Sequence, residues 1–358
     1  MIALLSKKVI AAAFLLVIST QIYAQVDISH VKVPITTLRQ HVFALADDSL
    51  QGRETGMKGQ LKAAYYCIKQ LRYHHLFAAF RLDSTRASFR QTFPFTVTEV
   101  SVFGGPRVYG SPTYRKHELA SLPLTHKDSN QVLYGDNIGG LLIGTDLKKE
   151  VVVVSAHYDH LGHSGKTVFH GADDNASGTA SVLSVAAVFD SLVQQGIRPR
   201  RSILFVLFSG EEGGLLGSNY FVHNCPLPIS QLVCDLNIDM VGRMDNFRHK
   251  QPDYCYLLTN KQESSFRKLV EKANKQSVNL AINQEGYDTK TDPDQHFYRS
   301  DHYNFAKGGI PAFFFTSGVH SDYHKPSDTA DKIDYTALQK RATLVFQTAW
   351  LIANESIK

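Results

Sequence analysis

Between residues 138 and 316 the apolar positions gather in short runs, several of them continuous, at 138–143, 151–156, 202–208, 233–239, 254–259 and 311–316. Val151-Val152-Val153-Val154 is the plainest of them. Runs this short with no polar alternation predict strands covered on both faces. The intervals between them carry apolar residues at three- and four-residue spacing, predicting helices at 176–193, 213–223, 263–276 and 335–353. The last of these places Leu338, Ala342, Val345, Ala349 and Ile352 on one face. Strands and helices in alternation predict an α/β protein: a mixed, mostly parallel central sheet between helical layers, a three-layer α/β/α sandwich. Upstream, Leu61, Ala64, Tyr65, Ile68 and Leu71 predict a helix over 57–72. Alternation from Phe89 to Val97, interrupted by Pro94, predicts an edge strand. The stretch from Gly104 to Asn130, with Pro106, Pro112 and Pro123, reads as loop. There is no internal repeat.

The N-terminus has the pattern of a secretory signal over residues 1–24. Lys7 and Lys8 precede an apolar core from Val9 to Ile18, and Ile22-Tyr23-Ala24 ends in a small residue. The core is too short to span a bilayer as a mature helix. Ile22 is larger than usual at a cleavage site, so an uncleaved anchor is the alternative. The expectation is an exported periplasmic or extracellular protein without stable membrane association, its mature domain running from 25 to 358. A helical lead-in would extend to about 80, and the α/β core would start near 90.

Removing Lys7 and Lys8 from 38 basic residues leaves 36 against 33 acidic ones, a formal charge of +3. The basic residues are scattered, which argues against nucleic acid as a partner. Four cysteines, at 67, 225, 234 and 255, form no CxxC pair. They read as small buried apolar residues with at most one bridge, Cys225 and Cys234 being nearest in sequence.

Candidate chemistry lies at strand ends. The 151–156 run enters His157-Tyr158-Asp159, and Asp174 follows His157 by seventeen residues within Gly171-Ala172-Asp173-Asp174-Asn175-Ala176-Ser177-Gly178. The 202–208 run enters Ser209-Gly210-Glu211-Glu212, and the next strand closes on Asp239. Tyr298-Arg299-Ser300-Asp301-His302 precedes the last strand, which leads to Tyr323-His324 and Asp328. Strand ends on one edge of a sheet converge, and carboxylates crowded there repel one another unless a cation holds them. Imidazole with carboxylate suits a zinc-type site, though spacing alone does not separate zinc from cobalt or manganese. Of the adjacent Glu211 and Glu212, one can bind metal while the other holds a water.

These motifs, with Leu50-Gln51-Gly52-Arg53-Glu54-Thr55-Gly56 upstream, resemble the zinc aminopeptidases with a co-catalytic metal pair. That family also contains glutamate carboxypeptidase relatives and glutaminyl cyclases. The resemblance implies the phosphorylase/hydrolase-like version of the sandwich and two Zn2+ per chain. It also implies a single zinc peptidase domain acting on peptide substrates. Asp174 would bridge both ions, with His157 and Asp239 completing one and Glu212 and His324 the other. Glu211 would be the general base, Asp159 would orient His157, and Tyr323 would stabilise the oxyanion.

Other readings stay open. Asp174 could cap the helix that follows, Glu211 and Glu212 could be a solvated pair at a helix start, and Asp239 could pair with Arg243. His160, His163 and His170 read as loop or substrate-rim histidines. Asp301 and His302 are expected to organise the site through hydrogen bonds, and Asp328 to hold His324 or cap a turn. The activity implied is removal of N-terminal residues. A carboxypeptidase or dipeptidase on the same scaffold is the alternative within the class. A cyclase is the rival transferase: cyclases use one zinc and lack the Asp-Asn-x-Ser-Gly context found at Asp174–Gly178. A binding ectodomain that has lost its ligands is the third, and here all five ligand positions are filled. No Gly-x-Ser-x-Gly is present to support serine catalysis.

Overall fold

The Val151–Val154 run forms the middle of a ten-stranded sheet. In a computed structural model, residues 27–101, 113–120, 132–248, 251–260, 264–283, 287 and 292–357 are described. The expected signal segment lies outside them. In chain order the sheet strands are β1 (Phe77–Ala78), β2 (Arg90–Ser101), β3 (Thr113–Leu119), β4 (Val132–Leu142), β5 (Leu147–His157), β6 (Arg201–Phe208), β7 (Leu232–Ile238), β8 (Tyr254–Thr259), β9 (Ala281–Asn283) and β10 (Ala312–Thr316). The helices are α1 (Ile35–Leu45), α2 (Lys58–Tyr73), α3 (Gly178–Gln194), α4 (Leu216–His223), α5 (Ser265–Ser277), α6 (His302–Lys307) and α7 (Tyr335–Asn354).

The strand order is β9-β8-β10-β7-β5-β6-β4-β2-β3, with β1 on β4 beside β2. The four central strands β10, β7, β5 and β6 are parallel. On either side the sheet turns antiparallel, at β8 against β10 and at β4 against β6. The expected mixed sheet between helices is therefore present, with its parallel part at the centre. Parallel neighbours put their carboxyl ends on one edge, and that edge carries the chemistry.

The parallel strands are apolar throughout because both faces are covered. Val151, Val153, Leu204, Val206 and Phe208 pack with Phe221 of α4 and Phe305 of α6. On the other face Phe205 meets Phe189 of α3 at 6.0 Å, and Phe189 lies edge-on to Phe346 of α7 at 5.2 Å. A strand alternates its side chains, so a run of four valines feeds both layers. Helix α7 begins where Asp334 accepts hydrogen bonds from the backbone N–H groups of Thr336 and Ala337, an N-cap of the usual kind.

Three expectations change. The strand around Pro94 is not simply an edge: β2 pairs with β4 along Arg90–Thr96 and with β3 along Phe95–Ser101. Pro94 is accommodated because its missing N–H would face the β3 side, just beyond the last pair, Phe95 with Leu119. Only its carbonyl is used there, accepting from Ala120 N. Part of the stretch read as loop is strand β3, and the rest of it lies mainly outside the described residues. All four cysteines are free, so Cys225 and Cys234 form no bridge.

Candidate metal centre

The end of each central strand contributes to the site. His157 is the last residue of β5, Glu211 and Glu212 follow β6, Asp239 follows β7, and His324 lies in the loop after β10. Asp174 comes from the turn ahead of α3. That turn is fastened to the end of β7 by Asn175, whose Nδ2 donates to Ile238 O (2.9 Å) and whose Oδ1 accepts from Gly178 N (2.8 Å). A Cβ on Gly178 would lie 2.3 Å from both Asn175 Oδ1 and Ile238 O, so only glycine lets the helix start so near the strand end. Asp328 accepts from the N–H groups of Asp173 (2.9 Å) and Asp174 (3.2 Å). It therefore holds the Asp174 backbone, rather than His324 as expected.

Arg53 fixes the other side. It is fully buried, and its hydrogen-bond partners among the described residues are backbone carbonyls. Its Nε donates to Tyr158 O (2.8 Å), Nη2 to Gly171 O (3.0 Å), and Nη1 to His170 O (2.7 Å) and Leu45 O (2.5 Å). It thus ties the segment holding His157 and Asp159 to the loop leading to Asp174. Next to it, Thr55 donates to Asp159 Oδ2 (2.9 Å), and Asp159 Oδ1 accepts from Glu211 N (3.3 Å).

The expected ligand groups come together. His157 Nε2 is 3.3 Å from Asp239 Oδ1 and 3.4 Å from Asp174 Oδ1. His324 Nε2 is 3.0 Å from Asp174 Oδ2 and 3.1 Å from Glu212 Oε2. The two oxygens of Asp174 therefore face different clusters. Glu211 Oε2 is 3.9 Å from His157 Nε2. On its far side, His157 Nδ1 is 3.2 Å from Asp159 O and 3.6 Å from Asp159 Oδ1. His324 takes a positive φ of 55°, as does Met240, a conformation costing a non-glycine residue roughly 1–2 kcal/mol.

Charge is strongly perturbed here. Burial, with Glu212 and Asp239 adding to it against His157, pushes the Glu211 carboxyl well above the ordinary carboxylate range. Burial and the Asp174 charge act the same way on Glu212, but His324 and His160 outweigh them and hold it at about 2. Burial likewise opposes ionisation of Asp174, and hydrogen bonds from His157 and His324 hold it well below the usual range. Burial disfavours charge on His324, yet Glu212 and Asp174 raise it to about 10. The crowded carboxylates thus recruit protons onto the imidazoles, a role a bound cation would take over.

The residues fit zinc. His157, Asp174 and Asp239 form one set and His160, Asp174 and Glu212 another, each with its candidate ligand atoms within 4.8 Å of one another. Nitrogen and carboxylate oxygen are zinc's usual donors outside thiolate sites. A third group, Asp292, Asp294 and His296, is a turn closed by its own hydrogen bonds, with His296 N and Nδ1 both on Asp292 Oδ2.

Other expectations are redrawn. His160 is not a rim histidine but is buried, with Nδ1 2.7 Å from Glu212 Oε1. His163 sits exposed on a small hairpin and His170 bonds Asp48 and Pro326 O, and neither joins the His157–Asp174–Asp239 or the His160–Asp174–Glu212 group. His302 stacks on Phe314 with centroids 4.5 Å apart, and burial pushes it down to about 3, so it is a core residue. Asp301 is buried within electrostatic reach of Asp239, and burial pushes it up to about 7. Arg243 pairs with Asp322 (3.0 Å), leaving Asp239 to His157. Tyr323 stacks on His324 at 3.8 Å and accepts a hydrogen bond from Arg299 (3.1 Å). Tyr323 and Arg299 line a cleft with Asp174, Glu211 and Asp239. Arg53 and Arg299 both lie in quoted motifs, but nothing in their neighbours' chemistry marked them as site residues.

An α/β/α sandwich with carboxylates and imidazoles converging at its parallel strand ends belongs to a class of hydrolytic enzymes. The chain belongs to Peptidase family M28, whose model matches residues 137–349, the family anticipated from the motifs. A probable leucine aminopeptidase of Arthroderma otae is 29% identical over 220 residues, 57% of this chain and 55% of that protein. Aminopeptidase YwaD of Bacillus subtilis is 30% identical over 222 residues, 58% and 43% of the two chains. The chain spans about half the length of the curated relatives it matches. Among solved structures, an aminopeptidase from Aneurinibacillus sp. strain AM-1 superposes with a TM-score of 0.63 at 18% identity, covering 91% of this chain and 96% of that one. A glutaminyl cyclase of Bacteroides thetaiotaomicron reaches 0.57 at 16% identity, covering 91% and 100%.

Proposed function

We propose that this chain is an exported zinc aminopeptidase that removes N-terminal residues from peptides. In this reading residues 25–358 act as one catalytic domain. His157, Asp174 and Asp239 hold one zinc ion, and Asp174, Glu212 and His324 hold the other. The observation that carries the proposal is the placement of Asp174, with Oδ1 toward His157 and Oδ2 toward His324. A carboxylate shared in that way is what a two-ion site requires, and the named aminopeptidase relatives point the same way.

Zinc bound there supplies positive charge that polarises a scissile carbonyl and brings water nearer to ionisation at neutral pH. Glu211 ligates neither ion. Its raised carboxyl pKa suits a group that takes a proton from the attacking water and returns it to the leaving amine. Asp159, held by Thr55 and by Glu211 N, fixes the orientation of His157. Tyr323 keeps its proton, since burial and the charges of Asp174 and Glu212 push its phenol upward. It can therefore donate to the developing oxyanion. The acidic lining of the cleft offers an anchor for a free α-ammonium, which would confine cleavage to the chain terminus.

The test is Glu211→Gln in the zinc-loaded protein, assayed on aminoacyl anilides. The expected result is a fall of about 10²–10⁴ in turnover with zinc content unchanged. Retained activity rejects Glu211 as the base. A glutaminyl-peptide substrate separates the rival transferase: free glutamine supports the peptidase, and a pyroglutamyl product supports a cyclase.

A further inference from the structure

We infer that His160 is a further metal ligand, joining Asp174, Glu212 and His324 so that one zinc ion is held by two imidazoles and its neighbour by one. The inference rests on the two-zinc reading above and concerns a residue outside the five-ligand pattern. His160 directly follows Asp159, and its ring is buried with 1% exposure. Its Nδ1 lies 2.7 Å from Glu212 Oε1 and 3.8 Å from Asp174 Oδ2. The His324 ring faces the same two carboxylates, at 3.1 and 3.0 Å, with the two ring centroids 5.8 Å apart. Donor atoms around a tetrahedral zinc ion, each bonded at roughly 2.1 Å, sit about 3.4 Å apart. The observed separations, from 2.7 to 3.8 Å, bracket that value.

The ring is seated by a feature of the backbone. Gly171 has φ +55°, and a Cβ there would lie 2.5 Å from the His160 ring, so any other residue would expel the imidazole from its place. Its Nδ1 faces the Glu212 and Asp174 carboxylates, and Nε2 has no hydrogen-bond partner among the described residues. His157, by contrast, has Asp159 behind it. His160 Nδ1 faces Glu212 Oε1 at hydrogen-bond distance. As a ligand the ring would be neutral, with the lone pair of Nδ1 toward the ion. An added neutral imidazole shifts a carboxylate-rich subsite toward zinc and cobalt and away from manganese and magnesium.

The test compares the full-length zinc-loaded protein with His160→Asn, whose amide can still donate to Glu212 from about the Nδ1 position but is a poor zinc donor. Zinc per chain is measured by elemental analysis across a graded chelator series. X-ray absorption at the zinc edge counts imidazoles in the wild type, independently of any variant. The expected result is three imidazoles for every two zinc ions. His160→Asn should lose one of the two ions at about 10- to 100-fold lower chelator strength. Two imidazoles for every two ions, or an unchanged chelator profile in His160→Asn, overturns the role of His160 and leaves the two-zinc reading intact. A wild type with no zinc overturns both.

Discussion

Replacing Arg53 with lysine should cost far more than a like-charge exchange normally does. The guanidinium serves four backbone carbonyls, those of Leu45, Tyr158, His170 and Gly171, from inside the protein. Burial lowers its pKa to about 10, partly offset by Asp159, Asp174 and Asp328, so it stays charged at neutral pH. Lysine keeps the charge but has one nitrogen, which cannot reproduce the planar fork. At least two of the carbonyls would be left buried without a donor. At about 1–3 kcal/mol for each, the expected loss is roughly 2–6 kcal/mol, against a total stability of about 5–15 kcal/mol for a domain. Urea unfolding of the metal-free protein would read this as a lower midpoint with the slope unchanged. Because Tyr158 and Gly171 flank His157 and Asp174 in sequence, zinc affinity should fall with stability. A variant as stable as the wild type, with undiminished zinc binding, would refute the idea that Arg53 fastens the two halves of the site.

Tyr323→Phe should lower kcat by about 10²–10³ with little change in KM if the phenol meets the oxyanion; steady-state kinetics on aminoacyl anilides decides this. Unfolding should also show a pH dependence from His302, whose folded pKa of about 3 lies below its ordinary 6.5. Above pH 6.5 the ring is neutral in both states. As pH falls below that value only the unfolded chain takes up the proton, so stability should drop by up to ~1.4 kcal/mol per pH unit until the folded pKa is passed. In His302→Phe, which keeps the stacking on Phe314, the pH dependence of the unfolding midpoint between pH 6 and 4 should flatten; an unaltered slope would count against a buried neutral His302.

Much of this was legible in the chain, for identifiable reasons. The central strands announced themselves because burial on both faces leaves no polar residue in Val151–Val154 or Ile203–Phe208. Most of the candidate ligands announced themselves because they follow such strands, whereas Asp174, in the turn ahead of α3, did so through the Asn175–Gly178 context after it. Strand β3, Thr-Tyr-Arg-Lys-His-Glu-Leu, did not, because a strand at the sheet's end is polar and resembles a loop. Strand β4 was found only from residue 138, since Gly135, Asp136 and Asn137 break its first half. Gly135 nonetheless belongs there: a Cβ would lie 2.4 Å from the Phe93 ring. His160 was read as a loop residue because its neighbours Leu161-Gly162-His163 look like one. Only the fold shows that the backbone doubles back through Gly162 N to Gly52 O and Phe169 N to Gly162 O, turning the ring inward. Arg53 was hidden for a related reason: carbonyl partners leave no mark in a sequence.

The central claim is that Asp174 serves two metal ions at once, and counting metal in the purified chain tests it most directly. Elemental analysis after dialysis against zinc-buffered solution should find close to two zinc ions per chain in the wild type, falling toward none in Asp174→Ala. One ion per chain, or two ions undisturbed by loss of the Asp174 carboxylate, would contradict the account.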